Sequence, residues 1–65
     1  MKITVNGLER SVDDGITVRA LAGLFKMVPE KIAIEVNRKL VRRDGYERQL
    51  ADGDQVELVT FVGGG

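Results

Sequence analysis

Asp52-Gly53-Asp54-Gln55-Val56-Glu57-Leu58-Val59-Thr60-Phe61-Val62-Gly63-Gly64-Gly65 is the stretch whose reading decides the fold. Its first three residues are turn formers and make a tight entry into the segment after them. Gln55 to Phe61 is rich in β-branched and aromatic residues, the composition of a strand. The three glycines after it have no side chain to pack and the most conformational freedom to lose, so they are expected outside any core. A strand that runs straight into such a tail presents the terminal carboxylate on a thin lead. Lacking Cβ atoms, Gly64 and Gly65 fit a channel too narrow for other residues. The tail therefore reads as a handle for another protein's active site. A glycine run alone is weak information, since linkers and loose ends share it. The reading draws its weight from the strand in front of the tail.

The N-terminal end supplies the neighbour this strand needs. Met1-Lys2-Ile3-Thr4-Val5 alternates strictly, with Met1, Ile3 and Val5 on one face. Asn6-Gly7 is the preferred pair for a two-residue hairpin turn, so Leu8 to Val12 returns antiparallel before Asp13-Asp14-Gly15 breaks it. Thr17 is placed to cap a helix whose apolar residues Val18, Leu21, Ala22 and Phe25 recur at helical spacing. Arg19, Gly23 and Lys26 face away, and Gly23 reads as close packing or simple tolerance. Val28-Pro29 is expected to end the helix, because the residue before proline leaves the α region. Ile32, Ile34 and Val36 alternate with Ala33 and Glu35, a third strand. Asn37-Arg38 is a turn into a short strand at Lys39-Leu40-Val41. Residues 42–49 are polar and irregular, with Tyr46 against the edge of the domain.

The element order is thus β-β-α-β-β-β, and one helix covers only one sheet face. A β-β-α-β crossover leaves a slot beside the first strand, which the last strand fills, parallel to it and central. The fold class is α+β: the β-grasp, or ubiquitin-like, arrangement, a mixed sheet of four to five strands with one helix on one face. Residues 1–61 form that domain and residues 62–65 a flexible tail. With Val56 and Leu58 in the core, Val59 and Phe61 point to the uncovered face, which is normally polar. Together with Val62 beside the tail, they form the expected partner-docking surface.

Composition excludes much else. Neither cysteine nor histidine occurs among the 65 residues, which removes thiol nucleophiles, disulfides, thiolate metal sites and the usual neutral-pH proton shuttle. Ten basic and ten acidic residues balance to zero, so no field for nucleic acid is implied. No apolar run reaches membrane-spanning length and no signal peptide precedes the first strand. The expectation is a soluble, cytoplasmic chain, too small for a substrate cleft of enzymatic size. Asp13-Asp14 and Asp52/Asp54 are ordinary turn residues without a calcium-loop spacing, so no metal is assigned. Arg38, Lys39, Arg42 and Arg43 form a basic cluster that reads first as a solvated edge and second as a contact for an acidic partner.

The residues also resemble a known family. Val36-Asn37 before a turn, Val41 then Arg42-Arg43, Leu50-x-Asp52-Gly53-Asp54-x-Val56-Glu57 and the terminal Gly-Gly are similar to the ThiS family, the sulfur carriers of thiamine biosynthesis. The resemblance covers the full length, and its specificity lies in order and spacing rather than in one motif. Two departures stand out: Arg38 where the family often has glycine, and Arg42 where proline is common. Both imply altered turn geometry. The resemblance implies that Gly65 is the site of adenylation and thiocarboxylate formation, with Gly63 and Gly64 threading the partner's active site. It further implies a ubiquitin-activating-like adenylyltransferase (ThiF-like) that consumes ATP, a cysteine desulfurase as sulfur source and a thiazole synthase (ThiG-like) as acceptor. The carrier itself is then no enzyme, has no catalytic side chain and no bound cofactor, and is a monomer when free. Two alternatives remain: a related carrier of the molybdopterin-synthase small-subunit type, which is usually longer, and a non-catalytic β-grasp binding module of the TGS kind. Only the carriers need a free C-terminus.

Overall fold

The computed structural model describes residues 1–61. The opening alternation becomes β1 (Lys2–Val5) and β2 (Leu8–Ser11), antiparallel with Val5 opposite Leu8. Asn6 (φ 50) and Gly7 (φ 82) both take the left-handed conformation that the two-residue turn demands.

The single α-helix of the described residues, α1 (Val18–Leu24), starts as expected, because the Thr17 hydroxyl accepts the Ala20 N–H at 3.0 Å. It ends earlier than Val28-Pro29. Lys26 adopts φ 58, its N–H donates to the Gly23 carbonyl at 2.9 Å, and the Met27 N–H donates to the Ala22 carbonyl at 3.0 Å. This is a Schellman closure with lysine in the position glycine usually fills. Proline acts only afterwards, opening the 3-10 turn Pro29–Lys31. Phe25 falls just past the helix and is half-buried at its end, with the Arg10 guanidinium 4.9 Å above its ring. A Cβ on Gly23 would meet nothing within 4 Å, so that glycine is tolerated rather than required for packing.

β3 (Ile32–Val36), β4 (Lys39–Leu40) and β5 (Gln55–Thr60) complete a five-stranded sheet in the order β2-β1-β5-β3-β4. β5 is central, parallel to β1 and antiparallel to β3, as the crossover argument required. Ile3, Val5, Ile34, Val36, Val56 and Leu58 form the covered face, closed by Val18 and Leu21 of α1. Burying such side chains contributes roughly 1.5–3 kcal/mol each relative to leaving them exposed.

The β3–β4 turn keeps its geometry despite Arg38. Asn37 (φ 53) and Arg38 (φ 69) are both left-handed, with Val36 paired to Lys39 across them. The departure from glycine therefore leaves strain on an arginine rather than a different turn. Arg38→Gly is predicted to raise stability by about 0.5–1 kcal/mol, read as a shift of the urea midpoint.

Residues 42–49 are irregular and mostly exposed, as expected, but they are tied to the helix and bury Tyr46. The first helical N–H groups, which have no partner inside α1, are taken by this segment: Val18 donates to the Arg48 carbonyl at 3.0 Å and Arg19 to the Tyr46 carbonyl at 2.9 Å. Leu50 N–H returns a bond to the Ile16 carbonyl at 2.8 Å, and Arg43–Gly45 forms a 3-10 turn. Tyr46 lies in the core at 7% exposure, not at the edge, and its hydroxyl donates to the Pro29 carbonyl at 3.1 Å. Its packing and its polar tip are satisfied together.

Candidate functional site

Alternation along β5 divides its side chains cleanly. Val56 and Leu58 are buried, whereas Val59 and Phe61 are 50% and 72% exposed. Directly paired residues share a sheet face, so Ala33, opposite Val59, and Leu40, opposite Glu35, belong to the same uncovered face. Leu40 is 59% exposed. The face thus carries Leu40, Val59 and Phe61 in the open, which is unusual for a surface that otherwise faces water.

Two asparagines and an aspartate hold this strand. β1 stops at Val5, but the Asn6 side chain continues its ladder: it accepts the Leu58 N–H at 2.8 Å and donates to the Leu58 carbonyl at 3.1 Å. At the other end of β5, the Asp54 carboxylate accepts the Ala51 N–H at 2.8 Å and the Asn37 amide at 3.0 Å. Asn37 in turn accepts the Gln55 N–H at 3.0 Å. Asp54 is only 9% exposed. Burial works to raise its pKa, but the hydrogen bonds from Ala51 and Asn37, with Arg48 nearby, outweigh it and hold the carboxyl below its usual value. These residues carry no chemistry. They fix where the last strand begins and how far it stays in the sheet.

Val62, Gly63, Gly64 and Gly65, the remaining expected site residues, lie outside the described residues. Of the predicted docking surface, Val59 and Phe61 are placed on one face as the alternation required, and Leu40 joins them. Leu40 escaped the sequence reading because it sits in a strand of two residues, too short to show a period. The directly opposed carboxylates Glu35 and Glu57 also escaped it. Aligning the two apolar alternations, Ile34 against Leu58, would have found that pair.

Other candidates resolve into structure. Among the described residues no group of acidic side chains is arranged to hold a metal ion. Asp14 pairs with the N-terminal ammonium at 3.1 Å, and Asp52 accepts the Lys2 N–H at 2.8 Å. Arg38, Lys39, Arg42 and Arg43 are exposed, and none forms an ion pair among the described residues. A shallow, open surface groove of about 580 Å³ runs between the β2–α1 connection and α1. Its Thr17 hydroxyl is engaged in capping and its Asp14 in the terminal ion pair. No helix among the described residues is long and apolar enough to cross a membrane.

Comparison with known proteins agrees with this arrangement. The model of the ThiS family matches residues 3–65. The crystal structure of the thiamine biosynthesis protein ThiS from Geobacter metallireducens superposes with a TM-score of 0.81 at 33% identity, covering 100% of both chains. Thiazole synthases of Paramagnetospirillum magneticum and Magnetococcus marinus are each 39% identical over 100% of this chain. The chain spans only 20% of the length of those two proteins.

Proposed function

The chain belongs to the ThiS family, and on that premise we propose that it is a sulfur carrier whose Gly65 carboxylate is activated and converted to a thiocarboxylate for thiazole formation. The observation that carries the reading is the position of Val59 and Phe61. Both stand exposed at the end of the central strand, immediately before Val62 and the glycines. A partner that grips this face has the tail at its active site without further search.

The chemistry starts from what a carboxylate lacks. Its charge repels nucleophiles and oxide is a poor leaving group, so an adenylyltransferase must first make the acyl group electrophilic. A Gly65 carboxylate oxygen attacks the α-phosphorus of ATP and pyrophosphate leaves, giving an acyl adenylate. The terminal sulfur of a persulfide, charged by a cysteine desulfurase, then attacks the carbonyl carbon and expels AMP. A second thiol cleaves the resulting S–S bond, forming a disulfide and releasing the thiocarboxylate. Every thiol in this sequence of steps belongs to a partner, because the chain has no cysteine. The carrier contributes the electrophile, the thin glycine lead through Gly63 and Gly64, and the docking face; ATP is consumed by the partner and no cofactor is held.

The sulfur acceptor is a thiazole synthase. Proteins of that name which contain a segment like this chain support the pairing of donor and acceptor. Pyrophosphate exchange tests the activation step. With the source organism's adenylyltransferase, ATP and labelled pyrophosphate, label should enter ATP only when this chain is present. Exchange that is equally fast without it would reject the carrier reading.

A further inference from the structure

We propose that the uncovered sheet face selects its partner through one arginine or lysine that the partner sets between Glu35 and Glu57, within the apolar surround of Leu40 and Val59. The partner is the activating adenylyltransferase, so the inference rests on the carrier reading above. Glu35 and Glu57 are directly opposite each other on β3 and β5, and both are exposed on the uncovered face. Residues so paired have Cβ atoms about 4.5–5.5 Å apart, and like charges there work against strand pairing.

The fold leaves that repulsion standing. Some acids of the described surface do find bases: Lys2 pairs with Glu9 at 3.6 Å, and Arg19 with Glu30 at 3.0 Å and with Glu47 at 2.6 Å. Among the described residues no cation forms an ion pair with Glu35 or Glu57. Lys39 is close in sequence but pairs with Val36, so it belongs to the covered side of the sheet, not to this face. Threonine at either position would suit the strand better and remove the conflict. A small domain that keeps two opposed carboxylates amid exposed apolar side chains holds a stability cost at its docking face.

Charge decides the occupant. A second copy presenting the same face would bring four carboxylates together, and a polyanion or an anionic lipid surface would be repelled. A protein surface that combines an apolar hollow with one basic side chain relieves the repulsion and desolvates the leucine, valine and phenylalanine in the same step. Lys31, one residue before β3, lies beyond the far end of the strand from the pair.

The experiment measures stability and activation in parallel for Glu35→Gln, Glu57→Gln and the double variant, with Glu9→Gln as the control from the far edge of the same face. The two readouts are expected to move in opposite senses. Melting points should rise by roughly 2–5 °C in the single variants. The adenylyltransferase's KM for the carrier should rise roughly tenfold, with kcat nearly unchanged and a weaker dependence of KM on salt. Glu9→Gln should leave KM at the wild-type value. Wild-type KM in the Glu35 and Glu57 variants would overturn the assignment while leaving the carrier reading intact. So would an equal rise in Glu9→Gln, which would indicate diffuse charge instead. A wild-type chain that the enzyme does not activate would remove the carrier reading and this inference with it.

Discussion

Deleting Gly65, or adding a single residue beyond it, is predicted to abolish the proposed thiocarboxylate formation while leaving the melting curve unchanged. Deletion retracts the terminal carboxylate by one residue, about 3.3–3.6 Å of extended chain. Attack on the α-phosphorus requires reacting atoms about 3–3.5 Å apart, and a misplacement of about 1 Å already costs on the order of a hundredfold in rate. Extension acts differently: it places the Gly65 carbonyl inside an amide and moves the free carboxylate past the reacting position. Neither change touches the core, whose strand β5 ends at Thr60. Thermal unfolding and pyrophosphate exchange on the same samples separate the two effects. Exchange at the wild-type rate in the deleted or extended chain would mean that the tail is a spacer, as the binding-module alternative holds.

Asp54→Ala is the substitution expected to unfold the domain most readily without altering an apolar side chain. It strands the Ala51 N–H and the Asn37 amide, both bonded to the Asp54 carboxylate. Leaving such partly buried donors unpaired costs about 1–3 kcal/mol each. For a domain of this size each lost kcal/mol lowers the melting point by roughly 4–8 °C. The same carboxylate sets an acid limb. Its folded pKa is depressed, so its contribution is complete above the unfolded value near pH 4 and is lost as pH falls through the folded value. Asp54→Asn should lower the urea midpoint at pH 7 and flatten its decline below about pH 4 relative to wild type. Parallel pH profiles for the two proteins would contradict the assignment of this limb to Asp54.

The sheet was legible because its residues announce their faces. Ile3 and Val5, Ile34 and Val36, Val56 and Leu58 alternate in sequence and are all buried on one side. From that alternation and the crossover rule come the parallel β1–β5 pair, the central last strand and the exposure of Val59 and Phe61. What stayed hidden depends on bonds that leave no local trace. Asn6 and Asn37 look like turn residues, and they are, but Asn6 also clamps Leu58, 52 residues away, and Asn37 holds Gln55, 18 residues away. The segment around Tyr46 is polar in sequence, yet it is tied to α1 through backbone carbonyls, which every sequence possesses. The early stop of α1 uses lysine where glycine would have signalled it. The docking face was therefore half visible: the apolar residues of β5 came from periodicity, whereas Leu40 and the Glu35–Glu57 pair required the strand register.

Intact-mass spectrometry of the full chain tests the central claim most directly. The protein is incubated with the source organism's adenylyltransferase, ATP, a cysteine desulfurase and cysteine, then weighed and fragmented. The predicted result is replacement of one oxygen by sulfur, located to Gly65 and dependent on every component. An unchanged mass, with the same enzymes shown to charge another carrier, would contradict the account and leave a β-grasp domain that binds without carrying.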